Sequence, residues 1–175
     1  GTVAGARAAR NAMDAGCANS ARTGGNAIVT SRGCDGNDTS GAGDGKDVVA
    51  AGADNDTVVG GHGAGDDVYG GGSGIDVVTY TSATHAIVVD LNETDRAGHA
   101  TLGGDSIGGL LTAAGKAPAT PVGYAEGADI GTDALISLEN VVGGQSSDIS
   151  NGNTLRHVIT AAAGNHTLNG SQGPS

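Results

Sequence analysis

Tryptophan and phenylalanine are absent from this chain of 175 residues, and its aromatic complement is three tyrosines. A conventional core would therefore be poor, because large rings bury the greatest apolar areas a domain has to offer. No apolar run approaches the roughly 18 to 20 residues of a spanning helix. The opening GTVAGARAARNAMDAG has no apolar h-region, so a classical signal peptide is not expected. Two cysteines, Cys17 and Cys34, lack partners at CxxC-like spacing, which argues against zinc. Pairing in an oxidising compartment and two free thiols both stay open. Basic residues number eight against nineteen acidic ones, for a net charge of −11. Such a surface repels phosphate backbones and argues against nucleic acid as a partner.

Catalytic signatures are missing as well. The five histidines, His62, His85, His99, His157 and His166, show no HExxH or other paired metal-ligand spacing, and each reads as a solvated loop or turn residue. GxSxG does not occur, and no Lys-Ser/Thr follows the glycines at 70–74 as a phosphate-cradling loop requires. An enzyme is not expected in this chain.

What the sequence has is glycine, 34 residues of it, and a period. Asp38, Asp47, Asp56, Asp67 and Asp76 recur at steps of 9, 9, 11 and 9 residues. Each is the sixth residue of a nonad: GCDGNDTSG from Gly33, AGDGKDVVA from Ala42, AGADNDTVV from Ala51, HGAGDDVYG from His62 and GGSGIDVVT from Gly71. Gly60 and Gly61 supply the long step and threaten the coil that joins Asp47 to Asp67. Position eight holds Ser40, Val49, Val58, Tyr69 and Val78, so four of five units offer an apolar side chain to the interior. Glycine permits the tight turn of the first six residues; the short, β-branched residues that follow favour strand. Two nonads then make one full turn of a flattened coil, and unit n lies over unit n+2. Asp38 comes near Asp56, Asp47 near Asp67, and Asp56 near Asp76, at about the 4.8 Å strand spacing. Ionised carboxylates at that distance repel by roughly 3 kcal/mol at an effective dielectric near 20. From Gly33 to Tyr80 nine aspartates face one base, Lys46. Ca²⁺ resolves the conflict, since it takes about six to eight oxygens in forgiving geometry; Mg²⁺ suits the site less.

These nonads resemble the GGxGxDxUx calcium-binding repeats of RTX (repeats-in-toxin, hemolysin-type) proteins. The resemblance implies an all-β fold, a parallel β-roll with Ca²⁺ in the turns. It carries the ligand role to Asp38, Asp47, Asp56, Asp67 and Asp76, with Asp35, Asp44 and Asp54 as supporting acids. The turn glycines Gly36, Gly45, Gly65 and Gly74 would present backbone carbonyls. Asp54 departs from the pattern by standing where the fourth-position glycine belongs, and Ser40 by replacing an aliphatic residue. A second resemblance covers IDVVTY (75–80), IVVDL (87–91) and LISLENVVGG (135–144), which are similar to the segments between repeat arrays in large RTX proteins. A fresh but eroded array follows: SSDISNG around Asp148 and AAGNHTLNG around His166 keep the cadence without the acids, and little or no calcium is expected there.

The chain divides accordingly into an Ala/Arg-rich leader or cap (1–32), a calcium-binding roll (33–80), an inter-array β segment with a long loop at 92–132 (81–144), and degenerate repeats with a tail (145–175). Net charge runs +3 over 1–32, −8 over 33–80 and −6 over 81–175. Alanine propensity permits a capping helix over about 4–15; an unstructured leader is the competing reading. The resemblance further implies secretion and folding on calcium after export, with two or three ions bound at about 10⁻⁴ to 10⁻³ M. It equally accommodates the carboxy-terminal appendage of a secreted protease, lipase or alginate epimerase, or a fragment of an adhesin. Asp56 alone belongs to two candidate sites; Asp133 stands outside the repeats and serves as a reference position.

Overall fold

The computed structural model describes residues 11–14, 21–23, 29–33, 35–41, 43–60, 65–92 and 122–170. Among these the chain is all-β. No helix there is long and apolar enough to cross a membrane. Cys17, Cys34, His62, His99 and most of the 92–132 loop lie outside the described residues, as does the thiol pairing.

Strands alternate between two sheets. One receives β1 (Asn11–Asp14), β3 (Val29–Arg32), β5 (Val48–Ala53) and β7 (Val68–Ser73); the other receives β2 (Ala21–Thr23), β4 (Thr39–Gly41), β6 (Thr57–Val59) and β8 (Val77–Thr79). Every pairing in this portion is parallel, and each strand meets the strand two along the chain. The step is 18 residues between Asp38 and Asp56 and 20 between Asp56 and Asp76. The observed register therefore pairs strands that lie two nonads apart. The Gly60-Gly61 insertion does not spoil it, because Val48 pairs with Val68 and the Asp47 N–H reaches Asp67 across the longer step. Asn11–Asp14 pairs with β3 as a strand, which corrects the helix allowed over 4–15 at those four positions.

Beyond Tyr80 the ladder becomes mixed. β9 (Ile87–Asp90), β10 (Gly123–Gly127), β11 (Gly131–Ile136), β13 (Ile149–Asn151) and β15 (Thr167–Asn169) extend the first sheet to nine strands, in the order β1-β3-β5-β7-β11-β10-β9-β13-β15. β12 (Asn140–Val142) and β14 (Ile159–Thr160) extend the second to six. β10 runs antiparallel to both neighbours. The end of the expected loop is thus a hairpin, with residues 128–130 as its turn. Asp129 in that turn accepts N–H bonds from Thr84 and His85 and is held well below the usual carboxylate range by them.

Position eight does what its residue types require. Val49, Val58, Tyr69 and Val78 are buried, and residues of both sheets join in one apolar cluster that continues through Val89, Leu135 and Val141. Burying a valine or leucine side chain contributes about 1.5–3 kcal/mol, so the repetition offsets the entropy of ordering so much glycine. Ser40 is buried in the same row, and its hydroxyl finds no partner among the described residues. Position seven separates the sheets. In the nine-stranded sheet it holds Val48, Val68 and Ala134, which form a second buried cluster with Val122, Tyr124 and Ile136; in the six-stranded sheet it holds Thr39, which is exposed, and Thr57 and Val77, which are half-buried.

Candidate metal centre

The turns between strands bring the repeat aspartates into two ladders, one on each set of links. In both, the sixth-position carboxylate accepts the backbone N–H of the sixth residue one coil earlier. On the links from the nine-stranded into the six-stranded sheet, the Asp38 N–H donates to Asp56 Oδ1 at 2.7 Å and the Asp56 N–H to Asp76 Oδ1 at 2.8 Å. On the returning links, the Asp47 N–H donates to Asp67 Oδ1 at 2.7 Å. All five aspartates are at most 3% exposed. The three juxtapositions expected from the period are present.

Fifth-position asparagines lock the first set in the opposite sense: Asn37 Oδ1 accepts from the Asn55 N–H, and Asn55 Oδ1 from the Ile75 N–H. The turns demand a left-handed residue at position four. Gly36, Gly45 and Gly74 supply it, and Asp54 adopts it at φ 75° without being glycine. Its carboxylate gains the Gly36 N–H in return, at 3.1 Å. Asp35, Asp44 and Asp54 are exposed on the turns. Gly65 crosses Gly45 so closely that a Cβ on it would sit 1.4 Å from the Gly45 carbonyl oxygen.

Burial sets the electrostatics. Desolvation is the largest cause raising Asp56, Asp67 and Asp76; neighbouring acids add to it and hydrogen bonds oppose it. Asp67 is pushed up to about 7 and Asp76 to about 6. Asp56 Oδ2 and Asp76 Oδ2 are buried with no hydrogen-bond partner among the described residues. A buried carboxylate oxygen without a donor is costly, and a cation removes that cost.

The ladder extends beyond the array that the sequence announces. Asp133 stacks on Asp67, accepting its N–H at 3.1 Å, and is fully buried; it is a rung of the ladder and a poor reference position. Its own signal was ADIGTDALI, a nonad with glycine fourth, aspartate sixth and leucine eighth. Glu139 takes the place after Asp76. The link there is three residues shorter than the link it covers, since the partners lie 66 residues apart at Asp67 and 63 at Asp76. The extra methylene of glutamate lets Oε2 reach the Asp76 N–H at 2.8 Å.

The eroded array uses the same positions. Asp148 Oδ1 accepts the Ile87 N–H, and the Asp148 N–H approaches His166 Nδ1 at 3.2 Å. His157 is the sixth residue of the nonad between them, GNTLRHVIT, and donates from Nδ1 to the Leu155 carbonyl at 2.8 Å. His157 is 5% exposed, as is the His166 side chain; the expectation of solvated histidines fails at both because they fill the interior carboxylate position. His85 is exposed, with Nδ1 paired to Asp129.

Among the described residues, no three His, Cys, Asp or Glu side chains converge on a point a metal could occupy. Any cation held here draws on pairs of carboxylates completed by turn carbonyls, a donor set of hard oxygens. No family model, curated protein or solved structure matches this chain.

Proposed function

We propose that this chain is a calcium-binding module folded as a parallel β-roll, part of a secreted protein, which winds up when it meets calcium outside the cell. The observation that carries the reading is the 18-to-20-residue parallel register that stacks Asp38, Asp56 and Asp76, leaving buried Oδ2 atoms on Asp56 and Asp76 without donors. The resemblance of the nonads to RTX repeats supports it from the sequence side. Asp38, Asp56 and Asp76 would hold the ion, with turn carbonyls such as those of Gly36 and Gly74 beside them. Bound calcium would supply the positive charge that the buried acids lack. The chain's own residues do the remaining work: Oδ1 of Asp56, Asp67 and Asp76 fastens one coil to the next, the asparagines at position five fix the turns, and valines at position eight seal the interior from water.

Such a module acts as a folding switch. Without cation the acids must be protonated or mutually repelled, and the coil is weak. An ion that binds only the wound form stabilises it by mass action, and the millimolar range typical of extracellular sites would fill it outside a cell and leave it empty within. The test is calorimetric titration with Ca²⁺ against Mg²⁺. Saturable calcium binding with weak or absent magnesium binding is expected; equal response to both ions, or none, would end the proposal.

A further inference from the structure

Two of the three tyrosines end at buried aspartates, and both aspartates are on the same ladder, Asp133 stacking on Asp67 from within β11. Tyr69 Oη donates to Asp67 Oδ2 at 2.7 Å, and Tyr80 Oη donates to Asp133 Oδ2 at 2.9 Å. All four residues are at most 3% exposed. Since Asp67 Oδ1 already accepts the Asp47 N–H and Asp133 Oδ1 the Asp67 N–H, both oxygens of each carboxylate are engaged. The other aspartates differ at one atom. The residue two places after the aspartate, on the same face of the strand, is Val58 after Asp56, Val78 after Asp76 and, on the tyrosine side itself, Val49 after Asp47. None can donate: the Oδ2 atoms of Asp56 and Asp76 have no hydrogen-bond partner among the described residues, and valine likewise gives Asp47 no hydroxyl. The single base between Gly33 and Tyr80, Lys46, also belongs to the tyrosine side, 3.2 Å from Asp66.

We infer that the tyrosine hydroxyls lower the cation capacity of one edge of the stack at the rungs they reach, Asp67 and Asp133. The edge carrying Asp38, Asp56 and Asp76 takes calcium between adjacent turns, while on the opposite edge the hydroxyls of Tyr69 and Tyr80 close the carboxylates of Asp67 and Asp133 to metal. Tyr69 is then the residue that sets how many ions the roll holds. The physical reason is substitution of one electrophile for another. A phenolic proton satisfies the same buried oxygen that would otherwise bind a cation, and it does so at the low dielectric where a hydrogen bond is strong. This inference rests on the calcium reading above and narrows it to one edge.

Calorimetric titration with Ca²⁺ alone, on the parent chain, Tyr69→Phe and Asp67→Asn, decides the matter. Tyr69→Phe removes the proton and keeps the ring, so it should bind one more ion than the parent. Asp67→Asn keeps an acceptor for the Asp47 N–H and removes the charge, so it should bind the same number as the parent. An unchanged count in folded Tyr69→Phe, or one ion fewer in Asp67→Asn, overturns the inference. Should Tyr69→Phe fail to fold, the Asp67→Asn count decides alone. A parent that binds no calcium ends the calcium reading itself, a result distinct from a parent that binds and loses an ion at Asp67.

Discussion

The turns of the first array and those around Asp148, His157 and His166 share one backbone design and differ in the side chain at position six. In both, that side chain accepts the N–H of the coil before: Asp56 from Asp38, His166 from Asp148. In both, the first-position glycine is pressed against the tip of the sixth residue. A Cβ on Gly71 would lie 2.4 Å from Asp76 Oδ2, and one on Gly152 would lie 2.3 Å from His157 Nε2. The first array, however, gathers like charge along its interior, and the second replaces two of three acids with imidazole. The shape of the nonad and the charge of its interior are therefore separable. Glycines and the hydrogen-bonded ladder make the shape; carboxylates make the charge.

Breaking the charged side of this comparison should have the largest effect. Asp56→Ala removes a carboxylate shared by two turn pairs and leaves the buried Asp38 N–H without its acceptor, a loss of about 1–3 kcal/mol. Calcium uptake at both neighbouring pairs should vanish in calorimetry, with a lowered melting temperature even in chelator. Moving charge into the second array should do the reverse. The His166→Asp variant sets a carboxylate beside Asp148, so it should gain calcium binding and lose stability in chelator by up to roughly 3 kcal/mol of repulsion. If it gains no calcium, position six does not control the demand for cation.

Proton binding sharpens the same contrast. The folded-state pKa values of Asp67 and Asp76, about 7 and about 6, lie above the unfolded carboxylate value near 4, and Asp56 is raised in the same direction. Their contribution to the metal-free fold is fully present below about pH 4 and is lost as pH rises through about 6 and 7. Metal-stripped protein should therefore melt at higher temperature at pH 5 than at pH 8, and calcium should flatten that dependence. The opposite slope would contradict the electrostatic account. The smallest effect separates two neighbouring glycines. Gly71→Ala places a Cβ 2.2 Å from the Ser137 carbonyl oxygen, whereas Gly70→Ala meets nothing closer than 3.6 Å. Only the first should cost stability, by about 1–3 kcal/mol in a denaturant titration.

The period was legible in the sequence because glycine, aspartate and valine each hold a fixed phase, and that phase alone implied pairing of unit n with unit n+2. The strands β4 to β8 and the three aspartate pairs followed from it; β1, β2 and β3 lie in the stretch that reads as a leader or cap, where no nonad announces them. Asp133 was hidden because its nonad stands alone, 66 residues from the rung it covers. A local window carries no information about contacts at that separation. His157 takes the sixth position between Asp148 and His166, and a cadence carried by acids is silent where an imidazole stands in the acid's place. At position eight Tyr69 reads as a packing residue, which its ring is. Its hydroxyl reaches back two residues to Asp67, and only the shared face of a strand reveals that reach. The two-sided apolar character of the nine-stranded sheet is present in Val48 and Val68 against Thr39 and Thr57, an alternation over four nonads that Val77 in the fifth ends.

The most direct measurement is a thermal melt followed by far-ultraviolet circular dichroism, run once with chelator and once with millimolar calcium. The account predicts a weak β signal with a low, broad transition in chelator and a strong signal with a markedly higher, sharper transition in calcium. Identical spectra and melting temperatures under the two conditions would contradict it.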